Sequence, residues 1–294
     1  MLEVYRPEHF DQVKAFARRQ SNFGYVKEII KAHSEQGYPG GCWVWRVRGP
    51  VVAFCGMLYL NPDDAWLYGM RVDDRFKGKG VATRFTRGLF RIARAAGRTW
   101  AGLNTLDHRK PAPVFRIAEK LDMKLESIHA TDPFWRLPRR FNPPRLRRMK
   151  GIFDHYVALG QKTIFHERPG WLWSRLIPAR KRWVNQSGFR LQGLPDQQTG
   201  LPIHVVRHPI ERNGKNWFRL VSVNLFDRSA DSRQLLESLL GYAGGKHHGL
   251  VINYPAEWKH ELRRAARELV PTLKRGRNCW FTTWRIYGKE LKEG

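Results

Sequence analysis

The segment 75–83 reads RFKGKGVAT and combines glycines with cations in a way that suits phosphate binding. Gly78 and Gly80 have no Cβ atom, so backbone amides there can approach an anion closely. One arginine and two lysines add fixed positive charge. If a helix begins after Gly80, its first amides have no intrahelical partner and lie at the positive end of the helix dipole. The pattern therefore predicts a site for a phosphate-bearing ligand.

The elements that must position this turn are readable on either side of it. Residues Ala65–Val72 are rich in aromatic and branched side chains, which predicts a strand. Beyond the turn the period changes, and apolar residues recur at helical spacing at Val81, Phe85, Leu89, Ile92 and Ala96. The turn is thus expected to join a strand to a basic amphipathic helix.

The pattern R-x-x-G-x-G-x-A at 75–82, in this context, resembles the pyrophosphate signature of the GNAT superfamily of acyl-CoA-dependent N-acetyltransferases. It lacks the Gly-Lys-Ser/Thr of a kinase P-loop, and Thr83 stands where a dinucleotide fingerprint needs a third glycine. The resemblance implies acetyl-CoA as co-substrate. The cofactor-binding residues that it implies are Met70, Arg71, Val72, Arg75, Phe76, Lys77, Gly78, Lys79, Gly80, Val81, Ala82, Thr83 and Asn104.

The neighbouring elements follow the same superfamily order over roughly residues 1–130. Two helices, a strand hairpin and a third strand precede the turn, and a further strand, Trp100–Leu106, follows the helix. The stretch 104–127 is similar to the superfamily's later segment, although Asp122 stands where a glycine is usual. A residue in the left-handed conformation at a helix end would fit there.

Past Ser187 the strand-helix alternation repeats, which predicts a second domain of the same fold. The expected fold class is α/β, with a mixed sheet flanked by helices in each of two GNAT-like acyltransferase domains. We expect a cofactor-binding domain at 1–135, a basic, tryptophan-containing connector at 136–186 and a degenerate domain at 187–294. The strand-helix junction 227–232 has no glycine and two carboxylates, which would repel pyrophosphate. Only the first domain is therefore expected to bind the cofactor.

The resemblance also implies a backbone N-H near Met70 to Val72 that would stabilise charge on the thioester oxygen. Asn104 has two interpretations. It contacts the cofactor or a bound water, or it is a turn residue whose side chain satisfies its own backbone. Many members place a proton-donating tyrosine on the later helix, but that position is Ala118 here. The general acid is thus unassigned, with weak candidates Tyr68, Tyr59 and His108. Possible general bases are Asp63, Asp64 and Glu119.

Composition limits the partners without identifying them. The 53 Lys and Arg residues exceed the 26 Asp and Glu residues and give a formal charge of +27, which attracts polyanions in general. Arginines at 84, 87, 91 and 94 form a stripe on the predicted helix, with a solvated face or a nucleic-acid track as the two interpretations. The basic segment 136–150 could extend such a track. The expected acceptor is a small-molecule or peptide amine.

Other signals are weak. Three dispersed cysteines predict free thiols in a reducing cytoplasm, and no apolar run is long enough for a transmembrane segment. No metal site is expected, because His247-His248 has no partners at ligand spacing. The sequence favours an N-acetyltransferase that moves an acetyl group directly from acetyl-CoA to an amine. The alternative is a non-catalytic, basic, nucleic-acid- or ribosome-associated protein on a lapsed acyltransferase fold.

Overall fold

The structure is a computed structural model that describes residues 1–20, 23–107, 113–135, 141, 144–167, 172–192, 200–212, 215–227, 231–246, 249–269 and 282–291. The chain divides into two compact units. Unit 1 contains Met1–Glu126, Arg168–Ser174 and Ile286–Gly294, and unit 2 contains Ser127–Glu167 and Arg175–Arg285. Each unit takes segments from separate parts of the chain. The division into 1–135, 136–186 and 187–294 stays a prediction.

Strands and helices alternate along the described residues. The strands are β1 (Leu2–Val4), β2 (Gly40–Arg46), β3 (Val51–Tyr59), β4 (Asp64–Val72), β5 (Trp100–Leu106), β6 (Lys124–Trp135), β7 (Arg145–Arg148), β8 (Thr163–Glu167), β9 (Leu172–Arg175), β10 (Gly188–Gln192), β11 (Leu201–Arg212), β12 (Lys215–Asn224), β13 (Gly249–Pro255) and β14 (Thr282–Glu290). The helices are α1 (Phe10–Arg19), α2 (Phe23–Ser34), α3 (Val81–Ala95), α4 (Pro113–Lys120), α5 (Ile152–Ala158), α6 (Lys181–Gln186), α7 (Ser232–Lys246) and α8 (Lys259–Leu269).

The sheet of unit 1 is mixed. Strands β1 to β4 pair in sequence order and antiparallel, whereas β4 and β5 are parallel. Parallel neighbours need a crossover, and α3 supplies it. The apolar face of α3 is buried against the sheet through Val81, Phe85, Leu89 and Ala93. The predicted strand, glycine turn and amphipathic helix are therefore confirmed.

The arginine stripe lies on the opposite face of α3. Arg84, Arg87, Arg91 and Arg94 are exposed. Arg98, which has the same spacing, is half-buried just beyond the helix, where its guanidinium lies 4.4 Å from the ring centroid of Tyr59. Arg98 also donates hydrogen bonds to the carbonyls of Asn61 and Pro62. Arg98 therefore helps to hold the β3–β4 turn.

The end of the chain completes unit 1. The backbone N-H of Leu291 donates to the carbonyl of Thr99 at 2.7 Å, and Tyr287 packs against Phe115 on α4. Lys289 Nζ donates to the carbonyl of Leu121 just beyond α4. Asp122 follows with φ +52°, so the expected left-handed residue is present at this helix end.

Unit 2 repeats the topology of unit 1. Strands β7, β10, β11 and β12 pair antiparallel in that order, and β12 and β13 are parallel. Helix α7 connects the parallel pair, and α5 and α6 lie between β7 and β10 in the chain, as α1 and α2 lie between β1 and β2. Strand β6 adds to β13 antiparallel. The expected mixed sheet flanked by helices is confirmed in both units.

One segment of the predicted connector forms a strand. Residues 145–148, which the sequence assigns to a connector, form β7 at the edge of the unit 2 sheet. Leu146 packs against the core of that unit and explains why a basic segment forms a strand there. Residues 136–140 and 142–143 of the same stretch lie outside the described residues.

Candidate functional site

A β-bulge in β4 shapes the centre of unit 1. The register of β3 and β4 pairs Gly56 with Tyr68 and Phe54 with Arg71, so Gly69 and Met70 together face one residue of β3. Gly69 has φ +65°, a left-handed conformation that glycine adopts without steric cost. An ideal Cβ on Gly69 would lie 2.1 Å from Cδ1 of Ile29 on α2. The bulge thus depends on a glycine at this position, and bulges bend the strand that carries them.

The pairing of β4 with β5 ends just before the bulge. Their parallel register runs from Asp64 opposite Trp100 to Leu67 opposite Leu103, although β4 continues to Val72. Residues Tyr68–Val72 therefore extend past the last β4–β5 pair, as does Asn104 on β5. The two strands therefore part at the stretch Met70–Val72, near which the resemblance implies the thioester-binding N-H.

The glycine turn follows β4 directly. Gly78 and Gly80 have φ +76° and +72°, so both positions lie in the left-handed region that favours glycine. Gly80 is the N-cap of α3 and provides no side-chain cap, and the first turn of the helix contains no acidic residue. The amides of Val81, Ala82 and Thr83 form the first turn, where helices have no intrahelical acceptors. An anion is the natural partner for this group of amides.

The carboxylate of Asp73 holds the start of the turn. It is buried and accepts hydrogen bonds from the backbone N-H and the guanidinium of Arg75, and from Arg19 Nη2 on α1 at 3.0 Å. The hydrogen bonds from Arg75 are the main cause that holds the pKa of Asp73 below its usual range. Gln20 Nε2, directly after α1, donates to the carbonyl of Val72 at 2.7 Å. Helix α1 therefore anchors the turn to the body of unit 1.

The charge at the turn is lower than a count of cations indicates. Arg75 pairs with Asp73, and Lys77 pairs with Asp74. Lys79 lies over the ring of Phe76, with Nζ 5.5 Å from the centroid. Arg84 folds back over the turn and donates to the carbonyl of Lys79 at 3.0 Å. The two carboxylates offset two of the three predicted cations, so the turn has less unpaired positive charge than the sequence indicates.

Met70 and Arg71 lie on opposite faces of β4. Met70 packs toward α3, where Thr86 Oγ1 approaches its sulfur at 3.8 Å. The guanidinium of Arg71 faces α2, 5.6 Å from the ring centroid of Tyr25, and donates to the carbonyl of Met70. The backbone between them is the stretch that the resemblance assigns to the thioester oxygen.

The candidate general acids do not come together. Tyr68 lies at the parting strands, buried, with its hydroxyl 2.7 Å from Nε2 of His33 on α2. Tyr59 pairs with Ala65 at the other end of β4, about 17 Å along the strand from Met70 at 3.3 Å per residue. His108 lies outside the described residues. Ala118 on α4 is buried in the core of unit 1.

The candidate bases are also dispersed. Asp63 and Asp64 lie at the β3–β4 turn, where Asn61 donates to Asp64 Oδ2 at 2.8 Å. Glu119 is on the exposed side of α4. None of these three carboxylates lies on the part of β4 that continues past its last pair with β5.

Three important residues escaped the sequence analysis. A glycine inside a strand is the signal for Gly69, because such glycines often mark bulges. An acidic residue directly after a strand is the signal for Asp73, because such residues commonly cap the next turn. His33 had no signal, since its partner Tyr68 is 35 residues away.

The described residues of unit 2 show neither parted parallel strands nor an uncapped helix N-terminus. Asp231 caps α7, with Oδ1 accepting the backbone N-H of Arg233 at 2.9 Å and of Gln234 at 3.0 Å. Strands β12 and β13 stay paired to Asn224 opposite Asn253, at the end of β12. Asn253 is the fifth residue of β13, as Asn104 is of β5, but it is fully buried and accepts from Thr131.

Within the described residues, no helix combines the length and hydrophobicity that a membrane crossing requires. The same residues contain no cluster of three or more His, Cys, Asp or Glu side chains that could hold a metal ion. Cys42 and Cys55 are buried free thiols, and Cys279 lies outside the described residues.

Comparison with known proteins finds a family match in the N-terminal part of the chain. Residues 3–112 match the family model of the acetyltransferase (GNAT) family, so this part of the chain is a GNAT acetyltransferase domain. A candidate acetyltransferase from Thermoplasma acidophilum is 12% identical, with 99% of each chain covered and a TM-score of 0.56. One from Pyrococcus horikoshii is 14% identical, over 99% of this chain and 89% of that one, with a TM-score of 0.48. No curated protein sequence matches the chain. The likeness to the Thermoplasma protein establishes the fold.

Proposed function

We propose that unit 1 transfers an acetyl group from acetyl-CoA to an amine acceptor. The observation that carries this proposal is the combination, within one unit, of parted parallel strands and an uncapped helix N-terminus directly after β4. An extended thioester arm fits between strands that no longer pair. A pyrophosphate fits the amides of the next helix.

The roles follow from these positions. The amides of Val81, Ala82 and Thr83 would hold the pyrophosphate, and Gly78 and Gly80 give the turn its left-handed conformation. A backbone N-H between Met70 and Val72 would face the thioester oxygen. Such a preorganised donor is worth a few kcal/mol, because it does not reorganise as negative charge develops. Acetyl-CoA supplies the activated acetyl group.

Unit 2 is proposed as a second GNAT-like domain that does not bind the cofactor. Its shared topology supports the common fold. Two features support the loss of the cofactor site in unit 2. The first-turn N-H groups of α7 already donate to Asp231, and the backbone groups of β12 and β13 already pair with each other, so neither set is available to CoA.

The test is turnover of acetyl-CoA with a panel of primary amines containing amino acids, short peptides, polyamines and aminoglycosides. Free thiol is followed by a colorimetric reagent, and the acetylated amine is identified by its 42-Da mass increase, about the mass of an added C₂H₂O. Thiol release that depends on one amine, with matching product, is expected. Thiol release without any acetylated amine would contradict N-acetyl transfer.

A further inference from the structure

His33 and Tyr68 form a hydrogen-bonded pair on the α2 side of the parted strands. The Tyr68 hydroxyl lies 2.7 Å from His33 Nε2, and His33 Nδ1 lies 3.1 Å from the backbone carbonyl of Tyr38. A carbonyl oxygen can only accept, so Nδ1 carries the ring proton when His33 is neutral. Nε2 is then bare and accepts the proton of the Tyr68 hydroxyl. The phenol oxygen keeps its lone pairs for a proton from another donor.

The position of Tyr68 brings this pair to the proposed reaction site. Tyr68 is the first residue of β4 beyond Leu67, the last residue paired with β5. It lies two residues, about 7 Å along the strand, from Met70, where the proposed oxygen-binding amides begin. Its ring lies against Gly56 of β3, where an ideal Cβ would approach the ring Cε1 to 2.9 Å. Glycine at position 56 therefore allows the phenol to occupy this place.

We propose that Tyr68 is a catalytic acid-base residue that takes a proton from the acceptor amine, and that His33 is the positioning residue that receives the proton of Tyr68. This inference rests on the proposed acetyl transfer. It fills the general-base role that Asp63, Asp64 and Glu119 do not fill in the structure.

The proton balance of the step is complete. An N-H bond of the acceptor ammonium breaks as its proton bonds to Tyr68 Oη, and the Tyr68 O-H bond breaks as that proton bonds to His33 Nε2. The neutral amine can then form its C-N bond to the acetyl carbon while the C-S bond breaks. The second amine proton returns to the departing thiolate through solvent. His33, which is half-buried, loses its extra proton to water.

His33 is the group of this cluster that can titrate near neutral pH. Burial lowers the pKa of His33, so the ring is neutral and able to accept at pH 7. Burial raises the pKa of Cys42 to about 12 and also raises the pKa values of Cys55, Tyr25 and Tyr68. The titratable or charged groups that face the pair are Cys42 from β2, Cys55 from β3, Tyr25 from α2, Tyr38 from the following loop and Arg71 from β4.

The test compares Tyr68→Phe and His33→Gln in the full chain, with a saturating concentration of the best amine of the panel above and with acetyl-CoA varied. We expect Tyr68→Phe to lower kcat by about 10²- to 10⁴-fold with an unchanged KM for acetyl-CoA. Wild-type kcat should fall as the pH drops through the pKa of His33, because the imidazolium cannot accept. His33→Gln keeps an acceptor for the Tyr68 hydroxyl but should remove this fall of kcat at low pH. Tyr5→Phe is the matched control, since Tyr5 lies beside His9 in the same unit and should keep wild-type kcat.

The following results would contradict the inference. If Tyr68→Phe keeps the wild-type kcat, or if kcat of His33→Gln still falls at low pH, proton transfer through Tyr68 and His33 is excluded. The proposed acetyl transfer would not be affected by either result. No turnover of any amine by the wild type removes both proposals together. If Tyr68→Phe does not fold, ¹⁵N NMR of histidine-labelled wild type decides: the inference requires the Nδ1-H tautomer at His33 and fails with Nε2-H.

Discussion

Gly69→Ala offers a sharp test of how the β4 bulge is built. Gly69 has φ +65°, and its ideal Cβ would lie 2.1 Å from Ile29 Cδ1 and 3.4 Å from Tyr25 Cε1. Only the first approach is closer than ordinary contact. The substitution therefore meets two separate costs, one in the backbone and one against a single methyl group.

The two costs have different sizes and origins. An alanine in the left-handed region costs about 1–2 kcal/mol relative to glycine. Forcing the Ile29 methyl aside in a packed core costs about 1–3 kcal/mol more. Ile29 is fully buried, so the methyl cannot move into solvent. We expect Gly69→Ala to lower the free energy of unfolding by about 2–5 kcal/mol, the sum of these two terms.

Ile29→Val separates the two terms because it removes Cδ1, the clashing atom. Alone it should cost about 0.5–1.5 kcal/mol. In the double variant the clash is absent and only the backbone cost of Gly69→Ala remains. The double-mutant cycle should then give a coupling energy of about 1–3 kcal/mol, with the double variant more stable than the sum of single effects.

The assay is urea unfolding of the four proteins, followed by tryptophan fluorescence and by circular dichroism. Acetyl-CoA affinity is measured on each folded variant. Gly69→Ala should also weaken acetyl-CoA binding, because straightening the bulge would let β4 and β5 approach each other. Additive effects of the two substitutions, or wild-type stability of Gly69→Ala, would refute this reading of the bulge.

Three further predictions concern both units. Burial lowers the pKa values of His129 and His204 to about 3, so between about pH 6.5 and 3 the unfolded chain binds protons that the folded chain excludes. The free energy of unfolding should therefore decrease as the pH is lowered through this range. At pH 5 this costs about 2 kcal/mol per histidine, and a flat stability between pH 7 and 5 in urea titrations would contradict it. Asp231→Ala should destabilise the chain by about 1 kcal/mol through the lost α7 cap, leaving acetyl-CoA affinity unchanged in calorimetry. Asp73→Ala should lower the thermal midpoint more than Asp74→Ala, because the Asp73 carboxylate is buried and the Asp74 carboxylate is exposed; equal shifts would contradict the anchor.

Local patterns were sufficient for much of the fold. The Trp100–Leu106 strand has the predicted bounds, and α3 begins at Val81 as predicted. Both lie where hydrophobic periodicity and glycine placement agree, so tertiary contacts reinforce the local preference. By contrast, β7 is basic and short and forms only because β10 offers a partner. No local sequence pattern predicts a strand of that kind.

The candidate site was predictable in its backbone but less so in its side chains. The glycine turn depends on residue types that are adjacent in the chain, and the left-handed angles of Gly78 and Gly80 explain their identity. The pairing of Arg75 with Asp73 and of Tyr68 with His33 depends on three-dimensional approach. A count of cations at the turn therefore overestimates its charge, and a list of tyrosines does not indicate which one has a partner that can accept its proton.

The central claim is that one acetyl-CoA binds to the helix N-terminus at the glycine turn of unit 1. Calorimetric titration of the full chain, cleared of nucleic acid, tests it directly. Gly80→Glu and Gly80→Gln place side chains of the same shape at φ +72°, so they share the backbone strain and differ in charge. Gly97→Glu places the same charge at a left-handed glycine, φ +78°, at the other end of α3.

We expect one acetyl-CoA bound per chain in the wild type and in Gly97→Glu. Binding to Gly80→Glu should be at least about tenfold weaker than to Gly80→Gln, since a carboxylate near 4 Å from a phosphate costs about 1–4 kcal/mol. Two molecules bound per chain, no binding by the wild type, or equal affinities of the two Gly80 variants would contradict the claim.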